Sequence, residues 1–235
     1  MHILDAIRDA FTLLFSGDPA LWLIIWISLK TTAVGLLLAG PPAILAGYLV
    51  ATHNFTGRRL VIWLAQVSLS MPTVLIGLLL YLMLSRQGPL GGLEWLFSQA
   101  GVIAGQALLG FPVLLAFTLA AVQASDPRLA ETAITLGASR ARVMWTVLYE
   151  ARFGVMAAVT TGFGRIISEV GCAMMVGGNI EGETRTITTA IALETSKGEF
   201  AQGIALGIVL VTIALFVNAA LMLLQGDARA VSATA

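Results

Sequence analysis

Charge is scarce in this 235-residue sequence. Asp, Glu, Lys and Arg make up 11% of it, against about 25% in an ordinary soluble domain. With 58% hydrophobic residues and a mean hydropathy of +0.91, no single soluble core would keep so much apolar surface from water. The same figures exclude a disordered chain, which is poor in apolar residues and rich in charge. Thirteen basic and thirteen acidic residues cancel, so the electrostatic footprint of a nucleic-acid binder is missing. One cysteine, Cys172, excludes a disulfide framework and a thiolate-rich metal site. Two distant histidines, His2 and His53, leave few ligands for a zinc centre. There is no G-x-x-x-x-G-K-[ST] phosphate loop, so the chain is not expected to hydrolyse ATP. No apolar run contains a histidine and no G-x-S-x-G occurs, which removes the usual means of activating an intramembrane nucleophile. No repeated half is visible, unlike many secondary transporters.

What is abundant is apolar sequence in long runs. Crossing about 30 Å of hydrocarbon takes about 20 residues in a helix, and five stretches qualify, at 20–51, 61–84, 102–124, 154–176 and 201–224. Short segments of period-two alternation, the mark of a membrane barrel, are absent. The class is therefore an all-α integral membrane protein. The first run is overlong and carries Lys30, which predicts one long helix with its lysine reaching toward the nearer interface. Asp18 and Pro19 read as its N-cap and first residue. Before it, Ile3, Ile7, Phe11, Leu14 and Phe15 fall on one helical face, predicting an interfacial amphipathic helix over 1–18 rather than a signal peptide. Pro41, Pro42, Pro72 and Pro112 lie inside the runs, where they either serve packing or shape a conduit. Gly203 and Gly207 have the spacing of a close helix contact.

The connections carry the charge. Placing 52–60, 125–152 and the 226–235 tail in the cytoplasm puts Arg58, Arg59, Arg128, Arg140, Arg142, Arg152 and Arg229 inside. Arg8, Lys30, Arg86, Arg185 and Lys197 then lie outside, a seven-to-five bias in the cytoplasmic direction. The 85–101 connection combines Gly88, Pro89, Gly91 and Gly92 with an interfacial Trp95.

Three segments hold candidate chemistry. In 125–152, Asp126-Pro127 starts a helix of about ten residues that Gly137 ends. It is too short to span and is placed to offer side chains to a partner at the cytoplasmic face, with Glu131 as a charged contact and Ala133 and Gly137 permitting close approach. In the fourth run, Arg165 and Glu169 stand four apart on one helical face, where an unpaired charge costs at least about 2.5–3.5 kcal/mol. Either Arg165 lends positive potential to a passing anion, with Glu169 limiting how tightly it is held, or the pair locks helices together. In 177–200, Thr184, Thr186, Thr188 and Thr189 beside Arg185 are neutral donors able to hold an oxyanion briefly; turn and cap use is the alternative.

Glu131-Thr132-Ala133-x-x-x-Gly137 resembles the EAA loop of ATP-binding-cassette (ABC) importer permeases, with Thr132 in place of the middle alanine. Where the family pattern ends in I-x-L-P, this sequence has Val147-Leu148-Tyr149-Glu150. Two further stretches, SLSMPTVLIGLLLYLMLSRQGPLG at 68–91 and GRIISEVGCAMMVGGNIEGETRTITTAIALETSKGEF at 164–200, are similar to the membrane subunits of tungstate-type importers, and more distantly to molybdate and sulfate permeases. The resemblance implies a type I ABC importer permease fold over 19–225, with a coupling helix docked on a cytoplasmic ATPase. It implies a dimeric pore built from a second copy, two ATPase subunits that bind ATP and Mg, and an extracytoplasmic oxyanion-binding protein facing the 177–200 segment. No cofactor is expected on this chain itself. The function implied is ATP-driven import of an oxyanion across a prokaryotic inner membrane, with tungstate as cargo. Molybdate or sulfate is the alternative cargo, and an ion-coupled secondary transporter the alternative mechanism.

Overall fold

The computed structural model describes residues 15–225 together with positions 8, 11 and 12. Those three positions and Phe15 are helical, and Phe11 and Phe15 are exposed. The rest of the expected interfacial helix and the 226–235 tail lie outside the described residues.

No strand occurs among the described residues. Helix α1 (Pro19–Thr52) starts where Asp18 accepts the Ala20 N–H at 2.9 Å. It runs unbroken through Lys30 and Pro41-Pro42, a length of about 51 Å at 1.5 Å per residue. Its C-terminal carbonyls are capped from the next segment: Arg58 donates Nε to Val50 O at 2.7 Å and Nη2 to Ala51 O, a favourable place for a cation. Helices α2 (Arg58–Leu69) and α3 (Thr73–Leu84) follow. A 3₁₀ turn (Gly91–Leu93) precedes α4 (Gln99–Gln123). The loop helices are α5 (Arg128–Thr135) and α6 (Arg140–Glu150). Then come α7 (Arg152–Ile167), α8 (Gly171–Gly177), α9 (Ile187–Lys197) and α10 (Phe200–Gln225).

Two of the five expected runs are not single helices. The 61–84 run stops at Leu69 and restarts at Thr73, because Pro72 has no N–H and sits at φ −61°, ψ 122°, an extended value that cannot continue a helix. The 154–176 run stops at Ile167 and restarts at Gly171. Pro112, by contrast, lies inside an unbroken α4. Three described helices, α1, α4 and the Phe200–Ala220 part of α10, are long and apolar enough to cross a membrane.

The chain divides into two compact units. The first comprises Met1–Leu37, Met71–Leu109 and Phe163–Leu215. In one of its clusters Leu21, Ile24 and Ile25 of α1 pack with Ile187 and Ala190 of α9 and Leu206 of α10. In another, Leu80, Leu84 and Leu109 surround Cys172 and Val176. Small residues let α3, α4 and α8 close on Cys172: a Cβ at Gly77 would lie 2.7 Å from its Cα, and one at Gly105 2.7 Å from its Sγ. Gly77→Ala is therefore expected to cost about 1–3 kcal/mol through overpacking, read as a lower melting temperature in detergent. Gly40→Ala, where a Cβ meets nothing within 4 Å, is the matched control. Of the Gly203/Gly207 pair, Gly203 approaches Thr195, whereas Gly207 faces open space.

The second unit comprises Leu38–Ser70, Gly110–Gly162 and Phe216–Ala235. Tyr48, Val122, Val143, Val147 and Ala151 form its buried cluster, with Ala130, Ala133, Ala138 and Met144 packed against it. This cluster seats the α5–α6 hairpin.

Candidate functional site

The α5 helix is set at both ends by local chemistry. Asp126 Oδ1 accepts the Arg128 N–H at 2.9 Å, and Pro127 occupies the first turn. At the other end Gly137 adopts φ 77°, the left-handed value open to glycine. Its N–H bonds Ile134 O at 2.9 Å, and the Ala138 N–H bonds Ala133 O at 3.0 Å, the paired bonds of a Schellman cap. The helix thus has defined ends without help from distant residues.

Its faces separate cleanly. Ala130 and Ala133 pack against the Val143–Val147 cluster, and both remain half-buried. Glu131 and Thr132 point outward, and Glu131 forms no ion pair among the described residues. Two residues not singled out from sequence lie beside them: Ile134 is 62% and Leu136 82% exposed. The signal was present, since an apolar residue just before a capping glycine on a short charged helix has no core of its own to enter. On α6, Trp145 and Tyr149 are also exposed, and the helix runs on to Glu150 where a proline would have stopped it. Arg152 donates to Tyr149 O at 2.8 Å and stacks on the Tyr149 and Phe153 rings. Arg58, Arg59, Arg128, Arg140, Arg142 and Arg152 all belong to this unit, against Asp126, Glu131 and Glu150.

The first unit holds the other candidates. Arg165 Nη1 donates to Glu169 Oε2 at 3.0 Å, with the arginine side chain 37% and the glutamate 2% exposed. Glu169 Oε1 also accepts the Cys172 N–H at 2.9 Å, and its carbonyl accepts the Thr188 hydroxyl at 2.7 Å. The carboxylate is thus both an ion-pair partner and the cap of α8, which explains why the fourth run breaks here.

The threonines are buried and already bonded. Thr184 Oγ1 donates to Gly177 O and accepts the Ile180 N–H. Thr186 and Thr189 form a capping box at the start of α9, and Ser28 Oγ of α1 accepts the Ile187 N–H at 2.7 Å. Of the two expected uses for these hydroxyls, this structure contains turn and cap bonding. Arg185 pairs with exposed Glu181 at 3.3 Å, and its Nε is buried without a partner. Lys30 donates to Gln99 Oε1 at 2.9 Å, and the Gln99 amide donates to Glu183 O at 2.9 Å, which ties α1 and α4 to the same segment.

A family model described as binding-protein-dependent transport system inner membrane component matches residues 43–229, a range that includes every candidate above except Lys30 and Ser28. The chain belongs to this family. It is similar to the tungstate uptake system permease protein TupB of Campylobacter jejuni, 38% identical over 217 residues that cover 92% of this chain and 91% of that one. TupB of Peptoclostridium acidaminophilum is 37% identical over 226 residues, covering 96% and 99%. Among solved structures, a bacterial ABC transporter that imports the acidic polysaccharide alginate matches with a TM-score of 0.71 and 21% identity, over 91% of this chain and 82% of that one. The fold is that of an ABC importer permease, and the chain is an inner-membrane transport component.

Proposed function

We propose that this chain is the membrane subunit of an ATP-driven importer of a tetrahedral oxyanion, tungstate, and that two copies form the translocation pathway. The cargo assignment rests on similarity over nearly full length to two tungstate permeases. The mechanism rests on one observation above all: a short helix capped at both ends that leaves Glu131, Thr132, Ile134 and Leu136 exposed. Such a helix is a rigid knob for a partner groove. Exposed apolar side chains in an arginine-rich unit fit a protein partner on the cytoplasmic side, where basic residues concentrate.

ATP and Mg belong to two ATPase subunits beneath the permease, and an exported binding protein delivers the anion from outside. The coupling is a linkage. The ATPase changes the permease only by binding its outward-open and inward-open states with different affinity, and α5 is the contact through which that difference acts. The Val143–Val147 cluster under α5 makes the hairpin move as one body with the helix ends it packs on.

The test is uptake in liposomes holding the permease with its cognate ATPase and binding protein. Tungstate uptake is expected to require ATP on the ATPase side and to persist when ionophores collapse all ion gradients. Uptake that follows an ion gradient without ATP would overturn the mechanism. Transport of sulfate in preference to tungstate would overturn the cargo.

A further inference from the structure

Arg165 poses a problem that its ion pair does not solve. Glu169 is sealed and bonded: its side chain is 2% exposed, Oε1 accepts the Cys172 N–H, and its backbone carbonyl accepts the Thr188 hydroxyl. Arg165 is different. More than a third of its side chain is exposed, and of the five N–H groups a guanidinium carries one is engaged, by Glu169. The remaining donors project from a run that is otherwise apolar, where a charge facing lipid is costly.

The surroundings of Arg165 differ from the leucine-rich surface of the same unit. A Cβ at Gly164 would meet nothing within 4 Å, and Ser168, one turn on, is exposed. Surfaces of this unit that suit hydrocarbon look otherwise: α3 shows Leu75, Leu78, Leu79 and Leu82 outward. The position is also where continuous helix gives way. Glu169 lies in the α7–α8 break, and the first residue of α8, Gly171, is seated against Thr73 and Val74 just after Pro72, so that a Cβ there would lie 2.6 Å from Val74 Cγ2. Irregular backbone at membrane depth is tolerated where it is buried in protein or lines a water-filled cavity, and broken helices are a recurrent setting for transport sites.

We infer that Arg165 is the anion-contacting residue of the translocation pathway, and that the fixed Glu169 carboxylate is the counter-charge which releases the cargo by reclaiming the guanidinium. The inference rests on the reading of the cargo as an oxyanion. A guanidinium matches oxyanion geometry through paired N–H donors, yet a permanent bond would stall transport. A buried carboxylate 3.0 Å away supplies the competition that keeps residence short. The pair is thus an exchange site, and its exposed half faces water instead of lipid.

The single cysteine makes a direct test available. In a Cys172→Ala background, Ser168→Cys places a thiol beside Arg165 while leaving the ion pair in place. In the permease–ATPase complex in liposomes, an anionic methanethiosulfonate is expected to modify that thiol at least tenfold faster than a cationic one. Tungstate is expected to slow the reaction several-fold, and adding Arg165→Gln to remove both effects. Arg165→Lys keeps the preference for the anionic reagent. Because labelling is scored on assembled complex, a variant that fails to fold is recognised by its absence there, and Arg165→Lys then carries the comparison with Ser168→Cys alone. No reaction with either reagent, or equal rates indifferent to Arg165→Gln and to oxyanion, would overturn the inference. Protection by sulfate but not by tungstate supports it while overturning the cargo assignment, and intact labelling in a complex with uncoupled ATPase separates it from the coupling role of α5.

Discussion

Leu136→Asp is expected to abolish stimulation of the partner ATPase by the loaded binding protein. Leu136 is 82% exposed at the tip of α5, with Ile134, two residues back, 62% exposed, and neither belongs to the buried cluster beneath the helix. Removing such an anchor from a docked interface typically costs about 2–4 kcal/mol, which is about 30- to 1,000-fold in binding. The charge also has to be desolvated in the partner's groove, which adds to the loss. The permease itself is expected to keep its melting temperature, because Leu136 contributes nothing to the buried cluster under α5. Co-purification of the ATPase and binding-protein-stimulated hydrolysis are the measurements, and full stimulation would remove α5 from the coupling role. Gly137→Val approaches the same end from inside: a β-branched residue at φ 77° is strained, so the cap opens and the outer face loses its geometry. Its effect on coupling is expected to be partial, and to be matched by Gly137→Ala more weakly.

The second large effect falls on Glu169. Glu169→Ala removes the Arg165 ion pair and the cap on the Cys172 N–H together. Breaking a fully buried pair costs about 3–5 kcal/mol; with Arg165 37% exposed to screening, about 2–4 kcal/mol is expected here, enough to show as a clear drop in melting temperature. Glu169→Gln keeps an oxygen for the Cys172 N–H and is expected to lose less than half as much. Equal losses in the two variants would mean that the charge, and not the cap, holds the α7–α8 junction.

The elements legible in the sequence are those set within a few residues. Asp126-Pro127 at one end and Gly137 at the other delimit α5, because an N-cap and a left-handed C-cap are decided by neighbours. The same holds for Asp18-Pro19 at the start of α1. The breaks were not legible, although Pro72 was: Pro112 has the same local chemistry and lies within a continuous helix, so proline alone does not say whether a run will divide. In the α7–α8 case the decisive group is a side chain, Glu169, whose carboxylate takes over an N–H that the next helix leaves free. The threonines of 184–189 form a hydroxyl-rich stretch whose sequence admits two uses. Which use applies depended on Gly177, Ile180 and the carbonyl of Glu169 lying within reach.

Hydropathy and charge by themselves determined that this is an all-helical membrane protein whose middle connection is its most charged stretch, since the cost of backbone and charge in hydrocarbon is a property of composition. Tertiary structure alone decided that Leu136 is exposed, that Ala133 packs against the α6 cluster, and that Arg165 is partly exposed while its partner is sealed. It also decided that Ser28 closes the start of α9 from 159 residues away. Local propensity acts over one or two turns of chain, whereas exposure and hydrogen-bond partnership are settled by whatever the folded chain brings alongside.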